Sequence, residues 1–145
     1  MPHKIVLDND LQRRGPMVDI LLAIPQSLED VLVQEGKPVP KSIVLRALID
    51  TGAGITAIRQ GLIAPLGLQP IGSVMMLTAG APAACGTYNV KLIVPFDTLA
   101  YNFAVSVVEM PLTGQPGLDC LIGRDVLERA IFTYSGADNR FTLSL

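Results

Sequence analysis

The residues best suited to chemistry are an aspartate and a threonine that directly follow an apolar run. Residues 45–54 read Leu-Arg-Ala-Leu-Ile-Asp-Thr-Gly-Ala-Gly, so Asp50 lies at the end of a predicted strand and Thr51 and Gly52 form a turn. Peptide hydrolysis without a metal or a covalent nucleophile needs one group that deprotonates water and another that protonates the scissile carbonyl. Two carboxyl groups sharing one proton do both, because like charges about 3 Å apart do not both ionise.

The sequence contains this triplet once, although the two-carboxylate chemistry needs it twice. No other Asp-Thr-Gly or Asp-Ser-Gly occurs in the 145 residues, and the related Asp97-Thr98-Leu99 lacks the glycine. Gly52 permits a tight turn and the close approach of a second backbone, and Thr51 offers a hydroxyl to an opposing loop. A monomer would therefore hold half of a site. In a dimer with two-fold symmetry the same patch meets itself, so two copies of Asp50 would face each other.

A second motif lies downstream, where an apolar pair leads into Gly123, Arg124 and Asp125. Together the two motifs resemble the active-site loop and the helix start of retropepsin-like aspartic proteases, and residues 47–53 are similar to bacterial members. The resemblance covers roughly residues 16–145. It implies an all-β, acid-protease fold, a closed barrel-like β structure with one short helix near the C-terminus and one half-site per chain.

The resemblance also implies roles for individual residues. It implies an aspartic endopeptidase in which Asp50, Thr51 and Gly52 are catalytic and a water is activated by an Asp dyad formed across a homodimer. The substrate would be an extended peptide or protein, closed in by a flap over residues 74–94 with its tip within 79–86. The implied substrate-binding residues are Ala53, Gly54, Ala79, Gly80 and Ala81.

Structural support is implied for two further residues and for the chain end. Gly123 would let a late strand pass close behind the loop, and Arg124 would brace the loop through an ion pair and hydrogen bonds. Residues 141–145 look like the C-terminal interface strand of the family, which interleaves with its counterpart in the partner. We expect Asp125 to be an acid in the first turn of a helix, where the helix dipole favours it.

Gly54 departs from the retroviral pattern, which has an aspartate four residues after the catalytic one. Arg124 must then bind another acceptor or backbone carbonyl oxygens. The Ala-rich flap tip with Pro82 departs from the Gly-rich retroviral flap as well. Two alternatives therefore stay open: a catalytically silent dimerisation or peptide-binding module of the same fold, and an enzyme that first releases its own N-terminal arm.

Composition argues against several other classes of protein. The net charge of −2 and the absence of Trp do not indicate a basic, aromatic surface suited to nucleic-acid binding. Cys85 and Cys120 fit two reduced, buried thiols, and one His with two separated Cys makes no metal set, so we expect no metal and no cofactor. No apolar window reaches about 18 residues, and the N-terminus lacks the apolar core of a signal peptide. We expect a cytoplasmic protein with no membrane partner.

Short β-rich runs separated by 13 Gly and 11 Pro predict one all-β domain. We expect a flexible N-terminal arm over residues 1–15 and the protease-like domain over residues 16–145. A helix is predicted over residues 123–130, a helical turn over 59–66, and a helix that begins near Ser27 and stops at Gly36. The predicted strands cover residues 17–24, 43–49, 74–78, 87–95, 101–108, 131–134 and 140–145.

Overall fold

The computed structural model describes residues 2–78, 80–114 and 116–145. These residues form ten strands, three α-helices and one short 3-10 helix, in which strands predominate. The all-β fold class is therefore confirmed. The elements are β1 His3–Leu7, α1 Leu11–Arg14, β2 Met17–Ala23, α2 Gln26–Gln34, β3 Ile43–Ile49, β4 Ala57–Arg59, the 3-10 helix Ala64–Leu66, β5 Gly72–Thr78, β6 Ala81–Pro95, β7 Ala100–Met110, β8 Cys120–Ile122, α3 Arg124–Leu127, β9 Ile131–Ser135 and β10 Arg140–Ser144.

Six strands close into a barrel in the order β2-β3-β8-β4-β7-β6, because β6 also pairs with β2. Two neighbouring pairs, β3 with β8 and β4 with β7, are parallel, and the other pairs around the barrel are antiparallel. Closure removes the unpaired edges that an open sheet would expose. It also holds β3 and β8 side by side, so that the chain segments following both strands leave the barrel together.

The alternation of side chains along β3 shows how the barrel is packed. Leu45, Ala47 and Ile49 are buried and face the core, whereas Arg46 and Leu48 are half-buried on the opposite face. A period of two also appears in β2, β6 and β7, and the inward residues of the barrel strands form a large apolar cluster. Its fully buried members include Ile20, Leu22, Ile58, Val90, Leu92, Phe103 and Ile122.

Three further strands form a separate sheet in the order β1-β10-β9. In β1, His3 pairs with Ser144 and Leu7 with Arg140, and the backbone N–H of Leu145 donates to the carbonyl of Pro2 at 3.1 Å. Leu11 in α1 is fully buried. Residues 3–14 are thus built into the domain, which corrects the expectation of a loose arm. The reason is that the partner of β1 is β10, more than a hundred residues away in the sequence.

The position of β10 also corrects the interface expected at the C-terminus. Both edges of β10 are hydrogen-bonded within its own chain, to β1 on one side and to β9 on the other. A partner chain therefore cannot interleave a strand beside β10 unless β1 or β9 first leaves. The free edges of this sheet belong to β1 and β9.

The predicted flap is a hairpin of β5 and β6, in which Gly72 pairs with Thr87 and Thr78 with Ala81. Gly80 lies at the turn with φ +96°, a conformation that glycine adopts without strain. The turn between Thr78 and Ala81 lies within residues 79–86, the range expected for the tip, and residues 81–86 of that range belong to β6. Ala79 lies outside the described residues.

The helices differ from the prediction mainly in length. The helix expected over residues 123–130 is limited to α3, Arg124–Leu127. The helical turn expected over residues 59–66 divides into the end of β4 and the 3-10 helix Ala64–Leu66, since Gly61 takes a positive φ of 93° between them. Among the described residues, no helix has the length and apolar character needed to cross a membrane.

Candidate active site

Asp50 directly follows β3, and backbone hydrogen bonds fix its loop against β8. Its N–H donates to the carbonyl oxygen of Ile122 at 2.9 Å, which continues the parallel pairing of β3 with β8. Its Oδ1 accepts a hydrogen bond from the N–H of Gly52 at 2.9 Å, and its carbonyl accepts one from Ala53 at 3.2 Å. The side chain is half-buried, and Oδ2 has no hydrogen-bond partner in the described part of the chain. One carboxylate oxygen is thus held in place while the other is available to water or to a second carboxyl group.

Gly123 lies directly behind this loop and has no room for a side chain. A Cβ atom there would lie 2.8 Å from the carbonyl carbon of Ile55 and 3.0 Å from the carbonyl oxygen of Ala53. Both contacts are to backbone, which cannot move aside without moving the loop. Glycine at position 123 therefore allows the start of α3 to pack against the back of the Asp50 loop.

A buried threonine and an aspartate form the second attachment of the loop. Thr56 is fully buried; its N–H donates to Asp125 Oδ2 at 2.9 Å, and its hydroxyl donates to Asp125 Oδ1 at 2.6 Å. Thr56 Oγ1 also accepts the N–H of Gly123 at 3.0 Å, and Asp125 Oδ1 accepts the N–H of Val126 at 2.9 Å. Both oxygens of Asp125 are therefore engaged in joining the loop to α3.

Sequence reasoning did not identify Thr56 as a supporting residue and gave Asp125 only a place in the first turn of a helix. A usable signal was present, since Thr56 is a lone polar residue between Ile55 and Ala57, and a buried hydroxyl needs a partner. The partner itself could not be read from the sequence, because Asp125 is 69 positions away.

Arg124 contacts the loop through backbone atoms. Its N–H donates to the carbonyl of Ala53 at 2.8 Å, and its Nη1 donates to the carbonyl of Thr51 at 2.8 Å. These are the backbone acceptors that the sequence analysis offered as an alternative to an acidic side chain. A Cβ atom on Gly54 would lie 3.5 Å from Arg124 Nη2, so the guanidinium group lies over the glycine that replaces the retroviral aspartate.

The expected substrate-binding residues fall in two places. Ala53 and Gly54 belong to the Asp50 loop, with Ala53 half-buried and Gly54 exposed. Gly80 and Ala81 are exposed at the turn of the β5–β6 hairpin. Within the described ranges, no hydrogen bond joins this turn to residues 50–54.

A cavity separates the Asp50 loop from the three-stranded sheet. This cavity of about 390 Å³ lies between Thr51 of the loop, Arg124 and Leu127 of α3, and Phe132 of β9. Thr51 is exposed, and its hydroxyl makes no hydrogen bond with the residues that the structure describes. The Thr51 hydroxyl is therefore available for a hydrogen bond at the cavity between the loop and the sheet.

The two cysteines are buried, as expected for apolar thiols. Burial raises the pKa of the Cys120 thiol, and the carboxylates of Asp125 and Asp119 raise this pKa further, so Cys120 stays protonated. Among residues 2–78, 80–114 and 116–145, no three His, Cys, Asp or Glu side chains are grouped as metal ligands would be.

Comparison with known proteins adds a family and a fold. The family model described as aspartyl protease matches residues 33–126. The crystal structure of a retropepsin-like aspartic protease from Rickettsia conorii matches with a TM-score of 0.54 and 17% identity, over 97% of this chain and 89% of that one. This match shows that the barrel has the retropepsin-like fold.

Two further structures are similar at lower scores. The retroviral protease-like domain of Ddi1 from Leishmania major matches with a TM-score of 0.46 and 16% identity, over 86% of each chain. The EIAV protease in complex with the inhibitor HBY-793 matches with a TM-score of 0.43 and 18% identity, over 86% of this chain and 93% of that one. A search of curated proteins found no match.

Proposed function

Because this chain belongs to the aspartyl protease family, we propose that it is a homodimeric aspartic endopeptidase whose catalytic pair is Asp50 from each of two chains. One ionised Asp50 takes a proton from water while the water oxygen bonds to the scissile carbonyl carbon. The other Asp50, protonated, gives its proton to the carbonyl oxygen. In the collapse of the tetrahedral intermediate, the first Asp50 gives the proton that it took from water to the amine nitrogen as the C–N bond breaks. The second Asp50 takes a proton back from a hydroxyl group of the intermediate, which leaves as the new carboxyl product.

The observation that carries this proposal is the difference between the two carboxylates joined to the loop. Asp125 uses both oxygens to hold Thr56 and Val126, so it is a positioning residue. Asp50 uses one oxygen, for Gly52, and is half-buried at the end of a strand. A site that needs two free carboxyl groups must therefore take the second one from another chain, and a two-fold axis supplies an identical group.

An exposed apolar surface on the three-stranded sheet supports a second copy as the partner. On the face of the three-stranded sheet that is turned away from the core, Ile5 is 63% exposed, Leu7 75% and Ile131 58%. Exposed apolar side chains grouped on a sheet favour burial against another protein surface. Thr51, with its unused hydroxyl, borders the cavity that this sheet shares with the loop. We propose that contact with the second copy uses this face rather than an interleaved C-terminal strand.

An extended peptide would bind between the dyad and the β5–β6 hairpin. Exposed backbone groups at the hairpin turn, around Gly80 and Ala81, are suited to hydrogen bonding with a peptide backbone, as in other cases where a strand is added to a sheet. Gly80 gives the turn conformational freedom for closing over the peptide.

A second candidate function is a peptide-binding or dimerisation module without turnover. It is favoured by Gly54, which leaves Arg124 bound to the backbone carbonyl of Thr51 in place of an acidic side chain. The two candidates share the fold and the dimer, and differ in whether Asp50 does chemistry.

The test compares Asp50→Asn with the matched variant Asp97→Asn, which alters an exposed aspartate that is also followed by threonine. Cleavage of a peptide library near pH 5 is measured by mass spectrometry, with and without a statine-type inhibitor. We expect Asp50→Asn to lower the cleavage rate by about a thousandfold or more, and Asp97→Asn to leave it unchanged. Inhibitor-insensitive cleavage that persists in Asp50→Asn contradicts the enzyme, and saturable peptide binding without any cleavage by the wild type supports the module.

A further inference from the structure

A cavity of about 720 Å³ lies beside the strands that lead to Asp50, and three guanidinium groups line it. The positive side chains come from α1 and from β3, and the opposite wall comes from the loop that precedes β8. One wall of the cavity is lined by Arg13, Arg14, Met17 and Arg46, and the other wall by Gly114 and Gly117.

This arginine cavity adjoins an apolar cavity of about 460 Å³, and Gly114 lines both of them. The apolar cavity lies between the hairpin, which contributes Leu77 and Thr78, and an apolar group formed by Leu112, Leu118 and Leu121. The two cavities therefore have Gly114 as a common wall residue, and we refer to the pair, one apolar and the other cationic, as the groove.

A row of side chains across three adjacent strands connects the groove to the Asp50 loop. Met17 pairs with Leu48, and Leu48 pairs with Leu121, so these three residues lie side by side on β2, β3 and β8. Met17 lines the arginine cavity and Leu121 the apolar one. Leu48 is two residues before Asp50, so a peptide lying over this row would pass close to the proposed catalytic carboxylate.

The segment that carries the arginines is fixed against the same strand. The carbonyl of Pro16 accepts the N–H of Ile49 at 2.9 Å. Gly15 has φ +77°, a conformation that other residues adopt only with strain, and a Cβ atom there would lie 2.7 Å from Leu48 Cδ1, so a side chain would force Leu48 to shift. Arg14 is thus held next to β3 by the backbone on its C-terminal side.

The guanidinium groups are only partly neutralised. Arg13 is paired with Asp10, and Arg46 is paired with Asp19 at 3.0 Å. Arg14 forms no ion pair and no side-chain hydrogen bond with the described residues, and it leaves the cavity with an excess of positive charge. Each guanidinium has five N–H donors in a fork that matches a carboxylate, so spare donors remain even on the paired arginines.

We infer that this groove selects peptides in which an acidic residue lies close to an apolar residue that flanks the cleaved bond. The apolar side chain occupies the cavity under the hairpin, and the carboxylate binds in the arginine cavity, with Arg14 as the principal partner. The inference rests on the proposed endopeptidase function and adds the class of substrate.

The test uses labelled peptides with an apolar central pair, in which Glu, Gln or Lys is placed in turn at each flanking position. For the wild type we expect kcat/KM to be about 2- to 5-fold higher for Glu than for Gln at one or two positions, as for a partly exposed charge pair. Arg14→Gln should remove this preference, and Arg14→Glu should turn it into a preference for Lys. Lys41→Gln, which removes an exposed cation from the loop before β3, should leave it unchanged.

Binding of the same peptides to Asp50→Asn, followed by fluorescence anisotropy, separates this inference from the proposed function. One outcome is that the wild type cleaves no peptide, whereas Asp50→Asn binds Glu peptides more tightly than Gln peptides. In that case the enzyme proposal fails and the inferred selectivity of the groove is supported. If peptides are cleaved and the Glu-to-Gln ratio is one in both the wild type and Arg14→Glu, the inference is overturned. Equal binding of all three peptide series overturns it as well.

Discussion

Gly123 decides how closely the start of α3 approaches the Asp50 loop. The change Gly123→Ala would place a methyl group 2.8 Å from the carbonyl carbon of Ile55, which is backbone. We expect a loss of about 1–3 kcal/mol in the free energy of unfolding, because overpacking against backbone forces the loop to shift. Chemical denaturation of the purified variant measures this loss.

Gly54→Ala is the matched control, since it adds the same methyl group to the loop against which Gly123 packs. Its Cβ would meet only Arg124 Nη2, at 3.5 Å, an ordinary contact with the end of a flexible side chain. We expect a change below about 0.5 kcal/mol. Equal stability of Gly123→Ala and Gly54→Ala would show that the loop does not need the close approach described above.

Cys120 gives a prediction about thiol reactivity. Burial and two nearby carboxylates raise the pKa of this thiol, so the native protein should hold it protonated and unreactive at about pH 8.5, the ordinary pKa of a thiol. Because the pKa is higher in the folded state, the contribution to stability is complete below that pH and declines as the pH rises through it.

The measurement is the rate of reaction with a disulfide reagent in a Cys85→Ala background, where Cys120 is the remaining cysteine. Reaction should be slow in buffer and fast in denaturant. Rapid labelling of the folded chain would show that Cys120 is accessible and would contradict its buried, protonated state.

At the scale of single residues, the sequence was sufficient to select the Asp50 loop as a candidate site but not to identify the residues that support it. Asp50 could be found because a carboxylate, a hydroxyl and a glycine stand together after an apolar strand. Thr56 and Asp125 could not be paired from the sequence, since their hydrogen bonds depend on β3 and β8 lying side by side. Local patterns reveal which groups are available, and the topology decides which of them meet.

Strands with a regular alternation of apolar and polar residues were predicted well. The predicted strand over residues 43–49 has the same bounds as β3, and residues 131–134 differ from β9 by one residue. The strands that were missed are short or lie near a terminus, namely β1, β4 and β8. Three-residue strands such as β4 are too short for a period of two to be read, and their pairing partners are distant in the sequence.

The strand β1 gives a prediction at the scale of an element. Removal of residues 2–7 should lower the melting temperature by about 5 °C or more, because it takes away the pairing with β10 and the hydrogen bond of 2.6 Å between His3 Nδ1 and Ser144 Oγ. Thermal unfolding followed by circular dichroism at one protein concentration measures the change.

The control for this truncation is Val44→Thr, which keeps the backbone pairing of β3 and changes only an exposed side chain away from the three-stranded sheet. We expect its melting temperature to stay close to that of the wild type. If the truncated chain has the same melting temperature as the wild type, residues 2–7 behave as the flexible arm expected from the sequence.

At the scale of the whole molecule, the barrel, the loop and the three-stranded sheet together form the half-site of the proposed dimeric enzyme. The barrel holds β3 and β8 in register, the loop presents one carboxylate, and the sheet presents an exposed apolar face. The sequence predicted the need for a partner from the single Asp-Thr-Gly. It could not predict the contact surface, because the pairing of β10 with β1 and β9 is visible only in the fold.

The central claim, that two copies of Asp50 form one active site, is tested most directly by mixing wild-type chains with Asp50→Asn chains. The wild type is held at a fixed concentration at which it is fully dimeric, the variant is added, and peptide cleavage is measured after subunit exchange. Random pairing predicts that equal amounts leave about one half of the activity and a threefold excess leaves about one quarter. Activity that stays constant however much Asp50→Asn is added, with exchange verified by native mass spectrometry, would contradict the claim.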